Sequence, residues 1–236
     1  MTPRQQYAAF MLLAALAFLL ARRCFPPSPA VARLPLAQRF ALAGSAFIGG
    51  VLGAKLPFAL HDGVWTESAW LADGKTITTA LIGAYLAVEM VKWFLGIRVP
   101  TGDGFAIPLA LALGVGRWGC FFNGCCYGTR CDEPWGVDFG DGVPRHPTQV
   151  YESLFHFAMA GVLIVLAGRD ALRGHRLKLY LIAYAAFRFV TEFIRPEQVV
   201  GLGLTFYQWA SLALATGLIW QWWRQNGEGE NAVTPQ

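Results

Sequence analysis

Seven apolar stretches constrain what this chain can fold into. They run roughly Tyr7–Ala21, Phe40–Leu60, Ile77–Ile97, Phe105–Phe122, Val150–Ala167, Lys178–Ile194 and Gly203–Trp223. Each approaches the ~20 residues that a helix needs to cross about 30 Å of hydrocarbon. In that medium every backbone N–H and C=O must be satisfied within the segment, so each stretch is expected to be helical. Composition agrees. The chain is 55% hydrophobic and 14% charged, with a mean hydropathy of +0.41, whereas soluble domains carry about a quarter charged residues. The expected class is an all-α polytopic membrane protein with seven transmembrane helices around a polar cavity. Residues 1–224 form a single membrane domain in this reading, and 225–236 a short, disordered tail. No internal repeat is visible.

Arg4 before an apolar core resembles the start of a signal peptide. The basic pair Arg22–Arg23 follows that core, and no small-residue cleavage site is evident, so the segment reads as an uncleaved first span. Basic residues then orient the chain. The odd loops hold Arg22, Arg23, Arg33 and Arg39, then Arg98, then Arg169, Arg173, Arg176 and Lys178. The even loops hold only Lys75, then Arg130 and Arg145, then Arg195. Lysine and arginine accumulate on the cytoplasmic side. The N-terminus is therefore expected outside, the C-terminus inside, and the long fourth loop facing outward. The net charge of +4 is spread along the chain and leaves no nucleic-acid footprint.

Ionisable residues fall inside or at the edges of spans: Lys55, Glu89, Lys92, Arg117, Glu152, Arg188 and Glu192. Each costs a few kcal/mol at the bilayer centre unless paired or hydrated. Lys92 suits snorkelling, and Glu89, three residues earlier, suits a pair with it. In "FRFVTEFIRP", Arg188, Glu192 and Arg195 fall at i, i+4 and i+7, with Tyr184 one turn earlier, so one helix face would carry all four. This is either a self-satisfied ion-pair ladder or a guanidinium held by Glu192 and offered to an anion. Arginine suits phosphate because its planar fork matches two oxygens at once. Arg117 would add a second guanidinium, and in a membrane the obvious phosphate is a phospholipid headgroup. In "RHPTQVYE", Thr148 is placed to cap the fifth span, and Glu152 to meet its N-terminal dipole. His146 is either a structural hydrogen-bond donor at the membrane edge, or a base or headgroup contact. His156 and His61 read as satisfied helix histidines.

"GRWGCFFNGCCYG", residues 116–128, places Cys120, Cys125 and Cys126 among four glycines, with Cys131 beyond. Four thiolates could hold a metal, although adjacent cysteines seldom both ligate without strain. An outward loop also permits a disulfide, such as Cys125 or Cys126 with Cys131. Soft pocket lining or a catalytic thiol completes the alternatives.

That segment, then "PWGVDFGDGVPRHPTQVYE", "YAAFRFVTEFIRP" and "LTFYQWASL", resemble in order and spacing the signature segments of the prolipoprotein diacylglyceryl transferases. The resemblance covers about Gly49 to Leu212. It implies a seven-span enzyme of the bacterial plasma membrane, with its N-terminus outside. Such an enzyme moves the diacylglyceryl group of phosphatidylglycerol onto the lipobox cysteine of a preprolipoprotein, forming a thioether as glycerol phosphate leaves. The implied partners are phosphatidylglycerol and the lipoprotein precursor or another thiol acceptor, with no metal or other cofactor. Matched residue by residue, Arg117, Arg188, Glu192 and His146 are the expected catalytic set. Asn123, Gly128, Tyr184, Arg145, Gln149 and Glu152 are expected to bind substrate, and Tyr151 also matches. The sequence departs from the family pattern in "TTALIGAYLAV", where Thr78, Thr79 and Ala80 replace a His-Gly-Gly triplet. Cys120 replaces an asparagine, and Cys125 a glutamate. Two rival readings are a membrane thiol or metal protein built on Cys120–Cys131, and a non-catalytic lipid-binding relative.

Overall fold

The computed structural model describes residues 2–61 and 76–231. Lys75, the side chain of His61 and residues 232–236 of the expected tail lie outside the described residues. Among the described residues, eight helices follow in chain order: α1 (Pro3–Cys24), the single turn α2 (Pro29–Ala32), α3 (Leu36–His61), α4 (Ile77–Phe94), α5 (Asp103–Phe122), α6 (Thr148–Gly168), α7 (Arg176–Thr191) and α8 (Phe206–Asn231). A 3₁₀ turn, Glu192–Ile194, extends α7. The described residues also form two short hairpins, β1 (Val137–Asp138) with β2 (Pro144–Arg145), and β3 (Val199–Gly201) with β4 (Leu204–Thr205). α8 continues helical through 225–231, where the sequence suggested a disordered tail.

Among the described residues, five helices are long and apolar enough to cross a membrane: α1, Leu36–Pro57 of α3, α4, α5 and α6. The other two expected spans, α7 and α8, are not among them. α7 has only 16 residues. α8 carries Gln208, Gln221, Arg224 and Gln225 along its length. Large apolar side chains such as Phe47, Trp93, Phe94, Val190 and Trp223 are exposed, as a hydrocarbon solvent favours.

Local chemistry starts α1. Thr2 Oγ1 accepts from the Gln5 amide, Gln5 Oε1 accepts from the Thr2 amide, and Pro3 takes the first helical position. This reciprocal pair satisfies two orphan donors. α6 starts differently from expectation. Thr148 is inside the helix and donates from Oγ1 to the Cys126 carbonyl at 2.6 Å, so no side chain caps the helix.

The helices pack as α1 on α5, α5 on α6, α7 on α8, and α3 on α4. The common core joins Leu81 of α4, Ile107 of α5, Leu163 of α6, Tyr180 and Leu181 of α7, and Leu218 of α8. The expected Glu89–Lys92 pair forms at 2.8 Å. Glu89 also accepts from Gln221 at 3.3 Å, linking α4 to α8. Asp103 accepts from the Gly174 and Arg176 amides at 2.5 and 3.1 Å, fixing the loop before α7 to the start of α5.

α3 and α4 approach closely because glycines face each other. A Cβ on Gly83 would sit 2.2 Å from the Gly49 carbonyl oxygen, and one on Gly53 2.2 Å from that of Thr79. Backbones meet this closely in membranes only through small residues. Gly83→Ala should therefore push the two helices apart and cost about 1–3 kcal/mol. Gly161→Ala, where a Cβ meets nothing within 4 Å, should leave the melting temperature unchanged or higher. Thermal unfolding in detergent would check both.

Candidate active site

Polar groups gather at one end of the bundle, where α5 finishes, α6 begins and α7 breaks into its 3₁₀ turn. Glu152, one turn into α6 and fully buried, is the centre. Its Oε2 lies 2.9 Å from Arg117 Nη2 and 3.2 Å from Arg195 Nη2. Its Oε1 accepts from the Tyr184 hydroxyl at 3.0 Å. Thr78, buried at the start of α4, lies close to Tyr184. His156 stacks on Tyr184, shares a 2.8 Å hydrogen bond between Nδ1 and the Tyr180 hydroxyl, and brings Nε2 to 3.8 Å from Glu152 Oε1.

A second carboxylate holds the third arginine. Glu192 Oε2 lies 2.8 Å from Arg188 Nη2, and Glu192 Oε1 accepts from Thr205 Oγ1 at 2.9 Å. Arg188 also packs over the Tyr207 ring at 5.3 Å. Arg195 lies within electrostatic range of both Arg188 and Arg117. The side chains of Arg117, Arg188 and Arg195 are 6%, 7% and 8% exposed. Among the described residues, three buried guanidiniums thus face two buried carboxylates, an excess of one buried positive charge, while the exposed Glu197 lies within electrostatic range of Glu192. Among the described residues, no hydrogen bond reaches the Nε atoms of Arg117, Arg188 or Arg195. Uncompensated buried cations are costly, so an anionic ligand would complete the cluster.

The ladder expected along one face of α7 does not extend to Arg195. α7 stops at Thr191, and Arg195 is extended, with φ −110° and ψ 148°. Pro196 disfavours the helical region for the residue before it. The chain therefore turns, and Arg195 reaches across to Glu152. Glu152 likewise does more than meet a helix dipole. Its proximity to Arg117 depends on α5 packing against α6, which no local pattern encodes.

The remaining expected residues surround this centre. Gln149 is buried and donates from Nε2 to the Cys125 carbonyl at 2.6 Å. Gly128 serves close packing, since a Cβ there would meet the Ile194 oxygen at 2.5 Å and His146 Cβ at 2.8 Å. Asn123 caps α5 at its C-terminus, is exposed, and lies close to Cys125. Arg145 lies on the β1–β2 hairpin, paired with Asp141 at 2.6 Å and stacked over Tyr127 at 4.7 Å. His146 Nδ1 sits 3.3 Å from the Tyr151 hydroxyl. Its backbone ties the loop together through Gly128 N to His146 O (2.8 Å) and His146 N to Thr129 O (3.0 Å). Arg117, Tyr184, Arg188, Glu192 and Glu152 are brought together; Arg145 finds Asp141 and Tyr127 within the segment between α5 and α6, the capping loop, and His146 meets Tyr151 of α6.

All five cysteines are free thiols, so the disulfide from Cys125 or Cys126 to Cys131 is not formed. The sulfurs of Cys120, Cys125 and Cys126 instead converge within 4.8 Å of one another, and Cys131 is not in that group. Cys131 is buried with its amide on the Pro144 carbonyl at 2.9 Å. Arg117 Nη1 lies 3.8 Å from Cys120 Sγ, so the same guanidinium touches both the carboxylate and the thiols.

The prolipoprotein diacylglyceryl transferase family model matches residues 3–224. Phosphatidylglycerol–prolipoprotein diacylglyceryl transferase 2 of Clostridium perfringens is 31% identical, over 72% of this chain and 72% of its own length. The phosphatidylglycerol–prolipoprotein diacylglyceryl transferases of Cupriavidus necator and Clostridium tetani are 32% and 34% identical. They cover 77% and 67% of this chain, and 74% and 68% of their own lengths. With nearly its whole length matched and its buried arginine cluster assembled from the segments that carry the resemblance, the chain belongs to the prolipoprotein diacylglyceryl transferase family.

Proposed function

We propose that this chain transfers the diacylglyceryl group of phosphatidylglycerol to the lipobox cysteine of a preprolipoprotein, and that the arginine cluster receives the phosphate. The observation that carries the reading is the excess guanidinium charge buried at one end of a membrane bundle. The relatives' names supply the substrates, and the charge excess supplies a place for the one anionic group that those substrates must bring.

In this reading Arg117 and Arg188 bind the phosphate and stabilise the charge that grows as the glyceryl C–O bond breaks. Stabilisation of developing charge is usually the largest contribution in such transfers. Glu192 fixes Arg188. Glu152 fixes Arg117 and Arg195, and Tyr184 holds Glu152 in place. Gln149 and Gly128 set the loop above the cluster, with Asn123 and Arg145 at its rim. His146 is the candidate proton acceptor for the attacking thiol.

The membrane placement belongs to the same proposal. α7 with its 3₁₀ turn, and α8, complete seven spans in a single domain over residues 1–224. The basic residues of the odd loops orient the N-terminus outside and the C-terminus inside. The capping loop and the cluster then face the outer side of a bacterial plasma membrane, where phospholipid and precursor meet.

Purified protein in phosphatidylglycerol vesicles should add a diacylglyceryl mass to a lipobox peptide. Arg117→Ala or Arg188→Ala should lower that rate by about 100-fold or more. Arg130→Ala, an exposed residue paired with Asp132, should leave it unchanged. Mass spectrometry of the peptide reads all three, and transfer surviving both cluster substitutions would remove the phosphate role. Glu152→Gln should also destabilise the fold by about 3–5 kcal/mol, because Arg117 and Arg195 would remain buried without their counter-ion. Denaturation in mixed micelles measures that loss.

A further inference from the structure

The three converging thiols are not needed to hold a phosphate, yet they lie against the arginine that would do so. Their geometry is built by several independent devices. α5 delivers Cys120 in its last turn. Gly124 (φ 65°) and Cys126 (φ 64°) are both left-handed and fold the chain back. That conformation costs a non-glycine residue about 1–3 kcal/mol, so its surroundings must hold it. The fold-back sets the Cys125 and Cys126 sulfurs 3.7 Å apart and places both beside Cys120. α6 pins the backbone of each: Gln149 donates to the Cys125 carbonyl and Thr148 to the Cys126 carbonyl, both at 2.6 Å. The strain expected of two adjacent ligands is thereby absorbed in the turn.

Three thiolates bound at about 2.3 Å from one zinc ion would lie about 3.8 Å apart. The observed sulfurs, 3.7 Å apart for Cys125 and Cys126 and all within 4.8 Å of one another, need draw in by no more than about 1 Å to reach that spacing. Zinc sites with three protein ligands keep the fourth position for a reacting group. A thiol entering that position is deprotonated by the metal. The reaction proposed above needs a thiolate at this place, since the acceptor sulfur must attack a glyceryl carbon attached to the phosphate that Arg117 would hold.

We propose that Cys120, Cys125 and Cys126 form a three-thiolate site for Zn²⁺ whose open fourth position receives the acceptor cysteine. This rests on the transferase reading and specifies how its nucleophile is made. Loading the ion releases the three ligand protons to solvent. The acceptor thiol binds as the fourth ligand and gives its proton to His146 or water. Its sulfur then forms the bond to the glyceryl carbon as the C–O bond to phosphate breaks. The bonding pair leaves on the phosphate oxygen, and glycerol phosphate departs. No group is oxidised or reduced.

Protein purified without chelator should contain close to one zinc per chain. Co²⁺ exchanged into it should show thiolate-to-metal absorption. Chelation should abolish that absorption and leave phosphatidylglycerol binding intact. At pH 7 it should lower the transfer rate about 30-fold, the reciprocal of the few per cent thiolate in a free cysteine of pKa ~8.5. Restored Zn²⁺ should recover the rate. The metal-free rate should climb about tenfold per pH unit below that pKa, while the zinc form stays nearly flat. Cys120→Ser, Cys125→Ser and Cys126→Ser should each lose the metal, whereas Cys24→Ser should retain it. Transfer that is unaffected by chelation or by all three substitutions overturns the zinc site while the transferase stands. A disulfide among the three cysteines in the active protein overturns it equally. Stoichiometric zinc in a protein that never transfers lipid, even with Arg117 and Arg188 intact, would instead overturn the transferase reading and, with it, the acceptor position.

Discussion

The contact between Glu152 and Arg117 organises this molecule. A carboxylate and a guanidinium at this depth are each unfavourable alone, and together they force α5 and α6 into one register. Once Glu152 is placed, it recruits Tyr184 from α7 and Arg195 from beyond it. One side chain therefore draws three segments to a common point. The apolar core below, from Leu81 through Leu163 to Leu218, packs helices that this polar knot has aligned. Removal of the carboxylate would leave two cations confronting each other in a poorly hydrated space.

The polar end is layered. Glu152 and Glu192 form a lower tier that holds the three arginines. The capping loop forms an upper tier, stitched by the backbone of His146, Gly128 and Thr129 and closed by the β1–β2 hairpin. Gly128 joins the tiers, because its missing side chain admits the Ile194 carbonyl. Arg117 bridges them, with one nitrogen on Glu152 and another toward the Cys120 sulfur. Phosphate recognition and sulfur chemistry would thus share a single guanidinium.

Much of the architecture was legible in residue types alone. Apolar stretches of near-span length located each long helix, because a bilayer leaves a backbone few options. The Arg188–Glu192 pair was legible from i, i+4 spacing and is present at 2.8 Å. What escaped was everything that depends on tertiary contact or on a break in regularity. Arg195 was assigned to a continuous helix face, although Pro196 already signalled the break. The partners of Glu152 lie 35 residues upstream and 43 downstream in sequence, beyond the reach of any periodicity. Convergence of the three thiols depends on a left-handed backbone at Cys126, a conformation rarely assigned to cysteine from sequence. The two short hairpins were not anticipated, since each strand holds only two or three residues.

The first turn of α6 carries Thr148, Gln149 and Glu152 on one rigid scaffold. The first two grip the carbonyls above the thiols, and the third grips the arginines. Any rocking of this helix, as the surrounding lipid thins or thickens, moves both groups by the same amount. The separation between sulfur and guanidinium is therefore carried by one helix, so a tilt of that helix would displace thiols and arginines together.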